Sequence, residues 1–309
     1  MLQGVQIKSA LQLQLTLCPK PEAAYARLLY VAALLLTGWG QTFAESGELK
    51  LSDKQKPLWE LGVGTFAGWL PDYPASGQNT LRALAVPYVV YRGDILRVGG
   101  EDNRGAVSGL FLKKERYEFD VSLSAAFPVE SGNNDARQGM PDLDYLFGIG
   151  PQLRFKLINE PGHRRLNFNL QARAVYSTDF SSVDAQGYVF NPKLSYTREH
   201  VTALNLKLST RAGPIFGTEK LMDYFYQVDP EFVTPARPAY DADAGYLGTN
   251  ITLAVSKRFN NRFRLLVGTR IGILNGATND SSPLFEDDVN VSIFSAFAWS
   301  FRQSQELAR

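Results

Sequence analysis

Only two histidines, His163 and His200, are available as proton carriers in this 309-residue chain. A nucleophile, a base and an orienting acid must converge for covalent or acid–base catalysis. Both histidines fall instead in different short polar stretches between alternating segments, where a histidine is ordinarily solvated. The chain has no Gly-x-Ser-x-Gly elbow, no His-Glu-x-x-His helix and no phosphate-binding loop. Two acidic groups, Asp135 with Asp142 and Asp144, and Asp280 with Glu286, Asp287 and Asp288, are candidates for divalent cations bridging lipopolysaccharide. Their spacing matches no calcium loop, and solvated loops account for them. The reading is therefore of a non-enzymatic protein without cofactor or resident metal. Two other sets have a usable pattern. Arg173, Lys207, Arg264 and Arg270 sit on the polar parity of alternating segments and are candidate lumen-lining residues. Tyr224, Phe225, Tyr226, Phe232, Arg237 and Tyr240, in and beside the long stretch 214–239, are candidate loop contacts.

The elements that must position these residues show themselves as a period of two. In the C-terminal run, Val289, Val291, Ile293, Phe297, Trp299 and Phe301 share one parity, and Asn290, Ser292, Ala296, Ala298 and Ser300 share the other. Successive strand side chains point to opposite faces, so one face is apolar and the other small or polar. The same alternation recurs from Trp59 onward, and no long stretch has helical period. About twelve strands are expected, near 58–70, 81–92, 94–100, 105–112, 117–127, 143–157, 164–177, 187–197, 201–213, 240–258, 262–274 and 288–301.

Asn167, Asn169, Gln171 and Arg173 on a single strand face would be costly in a dry core, whereas a barrel lumen hydrates or pairs them. The connections alternate long and short: 71–80, 128–142, 178–186, 214–239 and 275–287 are long, while Gly93, 113–116, 158–163, 198–200 and 259–261 are short. Only the connection at 101–104 breaks the alternation. Long outer loops and tight periplasmic turns are the rule for outer-membrane barrels. The fold class is thus all-β, an antiparallel transmembrane β-barrel of about twelve strands behind a cleavable N-terminal signal peptide. The prolines and aromatics of 214–239 suit an ordered loop folded over or into the barrel mouth.

Composition agrees: 45% hydrophobic, 20% charged and a net charge of +1 exclude a disordered chain. They also provide no field for a nucleic-acid partner. The strongly apolar segment Leu28–Gly38, preceded by Arg27 and followed by Thr42-Phe43-Ala44, reads as a secretory leader cleaved after Ala44. Residues 1–44 are then signal peptide with an N-terminal extension, 45–57 a periplasmic segment, 58–301 the barrel and 302–309 a short periplasmic tail. Cleavage removes Lys8, Lys20, Arg27 and Glu22, taking the net charge from +1 to −1, together with Cys18, the only cysteine.

LPDYPASGQNTLRALAVPYVVYRGD (70–94), GIGPQL (148–153) and YFYQVDPEFVTPARPAYDADAGY (224–246) carry a resemblance to the MltA-interacting protein (MipA)/OmpV-like family of outer-membrane proteins. The RPAYDADAGY ending is the most specific piece. The chain departs from the pattern in continuing as RQSQELAR after the terminal aromatic Phe301. The resemblance implies a barrel in the bacterial cell outer membrane, in contact with lipid and lipopolysaccharide. It further implies a scaffold role joining a murein lytic transglycosylase to a murein synthase, with osmotic or antibiotic responses and adhesion in other members. It brings no catalytic residue. A small-solute channel and a surface adhesin are the alternative functions. N-terminal sequencing of the exported protein is expected to begin at Glu45, and a start elsewhere refutes the leader assignment.

Overall fold

A computed structural model describes residues 57–92, 96–98, 107–109, 112–113, 115–202 and 204–307. The leader expected at 1–44, the periplasmic segment expected from 45 up to residue 56, the turn expected at Gly93 and the connection expected at 101–104 lie outside the described residues. Ten long strands carry the fold: β1 (Trp59–Pro71), β2 (Asn79–Arg92), β6 (Tyr117–Ala126), β7 (Tyr145–Glu160), β8 (Arg164–Thr178), β9 (Asp184–Arg198), β10 (Lys207–Gly217), β11 (Gly245–Arg258), β12 (Phe263–Ile273) and β13 (Val289–Gln303). Three short pieces, β3 (Leu96–Val98), β4 (Val107–Gly109) and β5 (Leu112–Lys113), lie between β2 and β6. Of the twelve strands expected, ten are described as long strands; the two expected at 94–100 and 105–112 are represented among the described residues only by these short pieces.

All strands belong to one antiparallel sheet in the order β4-β3-β2-β1-β13-β12-β11-β10-β9-β8-β7-β6-β5. Consecutive strands pair except β4 and β5, which stand at the two ends of this order, and the first strand also pairs with the last, from Glu60↔Gln303 to Trp69↔Ile293. The sheet curls round until β4 lies beside β6.

The faces are inverted relative to a water-soluble protein. Along β13, Val289, Val291 and Ile293 are 51%, 41% and 56% exposed, while Asn290 and Ser292 retain 7% and 4%. Exposed Leu81, Ile149, Leu194, Leu253, Val267 and Trp299 continue the apolar belt around the sheet. In water, a contiguous apolar surface of that extent drives aggregation; against hydrocarbon it is the required surface. Inside, Asn167, Asn169 and Gln171 are buried as their parity requires. Phe294 breaks the small-or-polar rule of the inner face. Its ring lies where a side chain on Gly268 would be, 2.7 Å from an ideal Cβ there, and it stacks on Phe66 with centroids 6.1 Å apart.

Toward the periplasmic ends of the strands the lumen is filled by paired polar groups. Arg154 bridges Glu118 and Asp120, each at 3.1 Å, and Lys156 reaches Glu118 at 2.7 Å. The Gln152 amide donates to Asp120 at 2.8 Å, and the Asn169 amide to Ser195 at 3.0 Å. Ser300 donates to Glu60 at 2.8 Å and stands 2.7 Å from the Tyr88 hydroxyl. Such groups are tolerable in a closed interior because each is satisfied by another.

Three boundaries differ from expectation. β10 begins at Lys207 rather than 201, because Val201 N donates to Leu206 O and Asn205 N to Thr202 O, closing a turn with His200 and Asn205 at φ 54. The long outer connection runs 218–244, since 214–217 extend β10 and β11 starts only at Gly245. It also contains the helix α1 (Glu219–Tyr226), too short to leave a helical period in the pattern. The tail is not loose: Leu58 N donates to Glu306 O, Ser304 N donates to Trp59 O, and Leu307 bridges Pro57.

Leu253→Arg, on the outward face of β11, is expected to destabilise the barrel by about 2–4 kcal/mol in lipid if it lies near the midplane. Urea unfolding from vesicles measures this. Inward-facing Thr252→Ser serves as the control and is expected to change stability far less.

Candidate functional site, a capped cationic chamber

Four inward positions at mid-height place cations around one space: Arg173 on β8, Lys193 on β9, Arg211 on β10 and Arg270 on β12. Their walls border a cavity of about 450 Å³ beneath the outer loops. Arg270 keeps more than a third of its surface accessible although the barrel surrounds it, because the surface it exposes is cavity wall. Two glycines make the room. An ideal Cβ on Gly148 would stand 3.3 Å from Cδ of Arg173, and one on Gly213 would stand 2.6 Å from Cβ of Lys193. Arg173 donates through Nη1 to Ser122 Oγ at 3.0 Å and Gln171 Oε1 at 2.7 Å, leaving its buried Nε–H without a partner.

Along the same wall, beginning on the strand next to that of Arg270, Phe66 stacks on both Phe127 and Phe294 at 6.1 Å. These rings bridge β1, β13 and the end of β6. Above, Tyr224, Phe225, Ile215, Leu247 and Leu274 complete an apolar roof. The chamber is therefore lined by cations and by apolar side chains.

The roof belongs to a lid built from the outer connections, and that lid holds the largest conventional hydrophobic core described in the protein. Tyr73, Val129, Leu143, Met222, Tyr226, Val228, Ala242 and Leu284 meet there from separate loops. On α1, Met222 and Tyr226 are four residues apart and share the buried face, as helical geometry requires. Thr218, at the helix start, accepts from Tyr188 N at 2.9 Å through its hydroxyl. Its side chain therefore fastens the helix to β9 rather than capping it.

Three phenols close onto carbonyls: Tyr73 onto Leu284 at 2.9 Å, Tyr224 onto Asp144 at 3.1 Å and Tyr226 onto Pro74 at 3.1 Å. Burial holds all three above the ordinary phenol range, so they remain donors. The Arg237 guanidinium donates to Phe232 O, Ala136 O and Gln138 O between 2.8 and 3.0 Å. Arg137 donates to Ser131 Oγ, Phe225 O and Pro141 O and lies 5.7 Å from the centre of the Tyr73 ring. Burial lowers its pKa from the usual guanidinium value. Asn290 fixes the lid to the barrel wall, accepting from Ala75 N at 2.7 Å and donating to Ser76 O at 3.0 Å.

Of the lumen candidates, Arg173 and Arg270 line the chamber. Lys207 and Arg264 keep the inward parity but stand at the periplasmic ends of β10 and β12, away from it. Lys193 and Arg211 were missed. Their signal was the parity shared by Asn191, Lys193, Ser195 and Thr197, and by Ser209 with Arg211. The candidate loop contacts divide differently from expectation. Tyr224 and Phe225 face the chamber, Tyr226 is wholly buried, Arg237 is buried on carbonyls, and Phe232 and Tyr240 pack on the lid core. They take part in the packing of the lid, with Phe232 and Tyr240 only partly buried. Asp142 accepts from Ser131 N and Glu286 from Gly77 N. Among the described residues no group of three or more His, Cys, Asp or Glu is placed to hold a metal. His163 and His200 lie on adjacent periplasmic turns, joined by Glu199 N donating to His163 O.

A family model described as MltA-interacting protein MipA matches residues 63–301. The chain belongs to the MipA family. With this barrel architecture, membership makes it a protein of the bacterial outer membrane. No curated protein matches this MipA-family chain. Among solved structures it is similar to a Pseudomonas aeruginosa FadL homologue, at 7% identity and TM-score 0.33 over 86% of this chain and 98% of that one. The Pseudomonas putida toluene transporter TodX matches at 9% identity and TM-score 0.28 over 84% and 74%. The Escherichia coli outer membrane protease OmpT matches at 7% and 0.27 over 84% and 100%. Likeness at this level carries no information on substrate or activity.

Arg237→Ala removes the donors to three carbonyls, Phe232 O, Ala136 O and Gln138 O, in part-buried bonds, at a cost of about 1 kcal/mol for each bond lost. The lid is expected to become sensitive to protease between β10 and β11 while heat-modifiable migration of the barrel persists. Unchanged protease resistance refutes the role given to Arg237.

Proposed function

We propose that this MipA-family barrel is a non-enzymatic interaction scaffold of the cell envelope, engaging murein-remodelling enzymes from its periplasmic face. The observation that carries this reading is that side chains occupy both ends of the lumen. A lid with its own hydrophobic core covers the outer mouth, and ion pairs and hydrogen bonds occupy the periplasmic half. A barrel so filled is suited to presenting surfaces rather than to passing solutes.

The periplasmic rim supports the same reading. Its longest described connection, 199–206, carries Leu204 at 59% exposure beside charged Glu199 and His200. Phe259 is exposed on the next turn with the Lys257 ammonium over its ring at 5.2 Å. Exposed apolar residues rimmed by charge mark interaction sites. The family's description as MltA-interacting points to a murein enzyme as the partner.

Planar bilayers containing the purified barrel are expected to show no stepwise conductance. Affinity capture from crosslinked envelopes is expected to recover a murein lytic transglycosylase and a murein synthase, and Leu204→Asp to reduce that recovery. Stepwise currents, or capture that recovers neither enzyme, refute the scaffold reading.

A further inference from the structure

We propose that the chamber beneath the lid is a binding site for a small organic anion carrying an aromatic or other apolar group. The argument begins with charge. Arg173, Lys193, Arg211 and Arg270 line a single cavity, and Arg82 also borders it. Only two carboxylates reach the same wall, Asp72 and Asp144. Asp72 is occupied, accepting from Arg82 at 3.1 Å and from the Asn134 amide at 3.0 Å. Asp120, whose field reaches Lys193, is bound to Arg154 and Gln152.

Among the described residues, no carboxylate lies within ion-pair distance of Lys193 or Arg270. The Nε–H of Arg173 is buried without a partner. Like charges gathered in a partly desolvated space repel, and a buried cation without a counter-charge is unfavourable. An anion placed among them offsets both penalties and accepts the orphaned donor.

The second half of the argument is shape and polarity. The Phe66, Phe127 and Phe294 stack lines the same space as the cations, Phe294 on the strand next to that of Arg270, and Phe225 roofs it. An inorganic anion would leave the apolar walls against water, and a neutral hydrocarbon would leave Lys193 and Arg270 without a counter-charge. A ligand with an anionic end and an apolar body satisfies both. About 450 Å³ falls in the range of small-molecule sites, which combine apolar walls with a few placed polar groups.

The test is titration calorimetry on the full exported protein in nanodiscs, with phenyl phosphate, inorganic phosphate, phenol and benzylamine as probes. Phenyl phosphate is expected to bind at least about tenfold more tightly than phosphate or phenol, and benzylamine not to bind. Lys193→Gln with Arg270→Gln is expected to weaken phenyl phosphate by about tenfold or more. Phe225→Ala is expected to narrow the gap between phenyl phosphate and phosphate. Heat-modifiable migration establishes that each variant is folded; if the double variant does not fold, Lys193→Gln alone is read in its place. Absence of phenyl phosphate binding, equal binding of phosphate, binding of benzylamine, or wild-type affinity in the folded charge variant overturns the proposal. Capture of murein enzymes is measured on the same preparation and stands or falls separately.

Discussion

The pairing of β1 with β13 is the contact on which the rest depends. In hydrocarbon an unpaired backbone N–H or C=O costs several kcal/mol, and this pairing leaves only the short β4 and β5 at the ends of the described sheet. The pairing joins residues about 240 positions apart, Glu60 with Gln303, while the described long strands pair with chain neighbours. Once it forms, each residue on these strands is committed to lipid or lumen. A slip of one residue would reverse every assignment, turning Ser292 to lipid and Ile293 inward. The ordering of the interior follows from this one register.

The interior then solves a packing problem without a conventional core. Its periplasmic half is held by mutually satisfied charges, with Arg154 joining Glu118 and Asp120. The apolar core is displaced to the outer end, where Tyr73, Met222, Tyr226 and Leu284 gather from separate loops. Between these two regions lies a space where cations are concentrated and the balancing acids are largely engaged elsewhere. Gly148 and Gly213 keep it open, since side chains there would collide with the residues that bring Arg173 and Lys193 inward.

Much of this was legible from alternation alone, because lipid and lumen impose a period of two that survives even where the strand is long. The inward placement of Asn167, Asn169, Gln171 and Arg173 is the clearest case. The lid resisted the same treatment. Its core joins residues from loops separated by up to about 210 positions, as Tyr73 and Leu284 are, and α1 has only eight residues. Parity also identifies which face a cation occupies but not its height, so Lys207 and Arg264 looked equivalent to Arg270. Lys193 was masked by Pro192 beside it, which weakens the visual signal of a strand even though Asn191, Ser195 and Thr197 share its face. Phe294 could be read only with Gly268 in view, because a large ring inside a narrow barrel needs a missing side chain beside it.

The stitching of Glu306 and Leu307 to Leu58 and Pro57 bears on how the molecule can be handled. A reporter or affinity handle appended at the C-terminus would pull directly on the closing seam. The connection expected as a long one at 178–186 spans only 179–183, because β9 begins at Asp184, and it is a gentler attachment point, for its polar residues are largely exposed and bonded chiefly to one another.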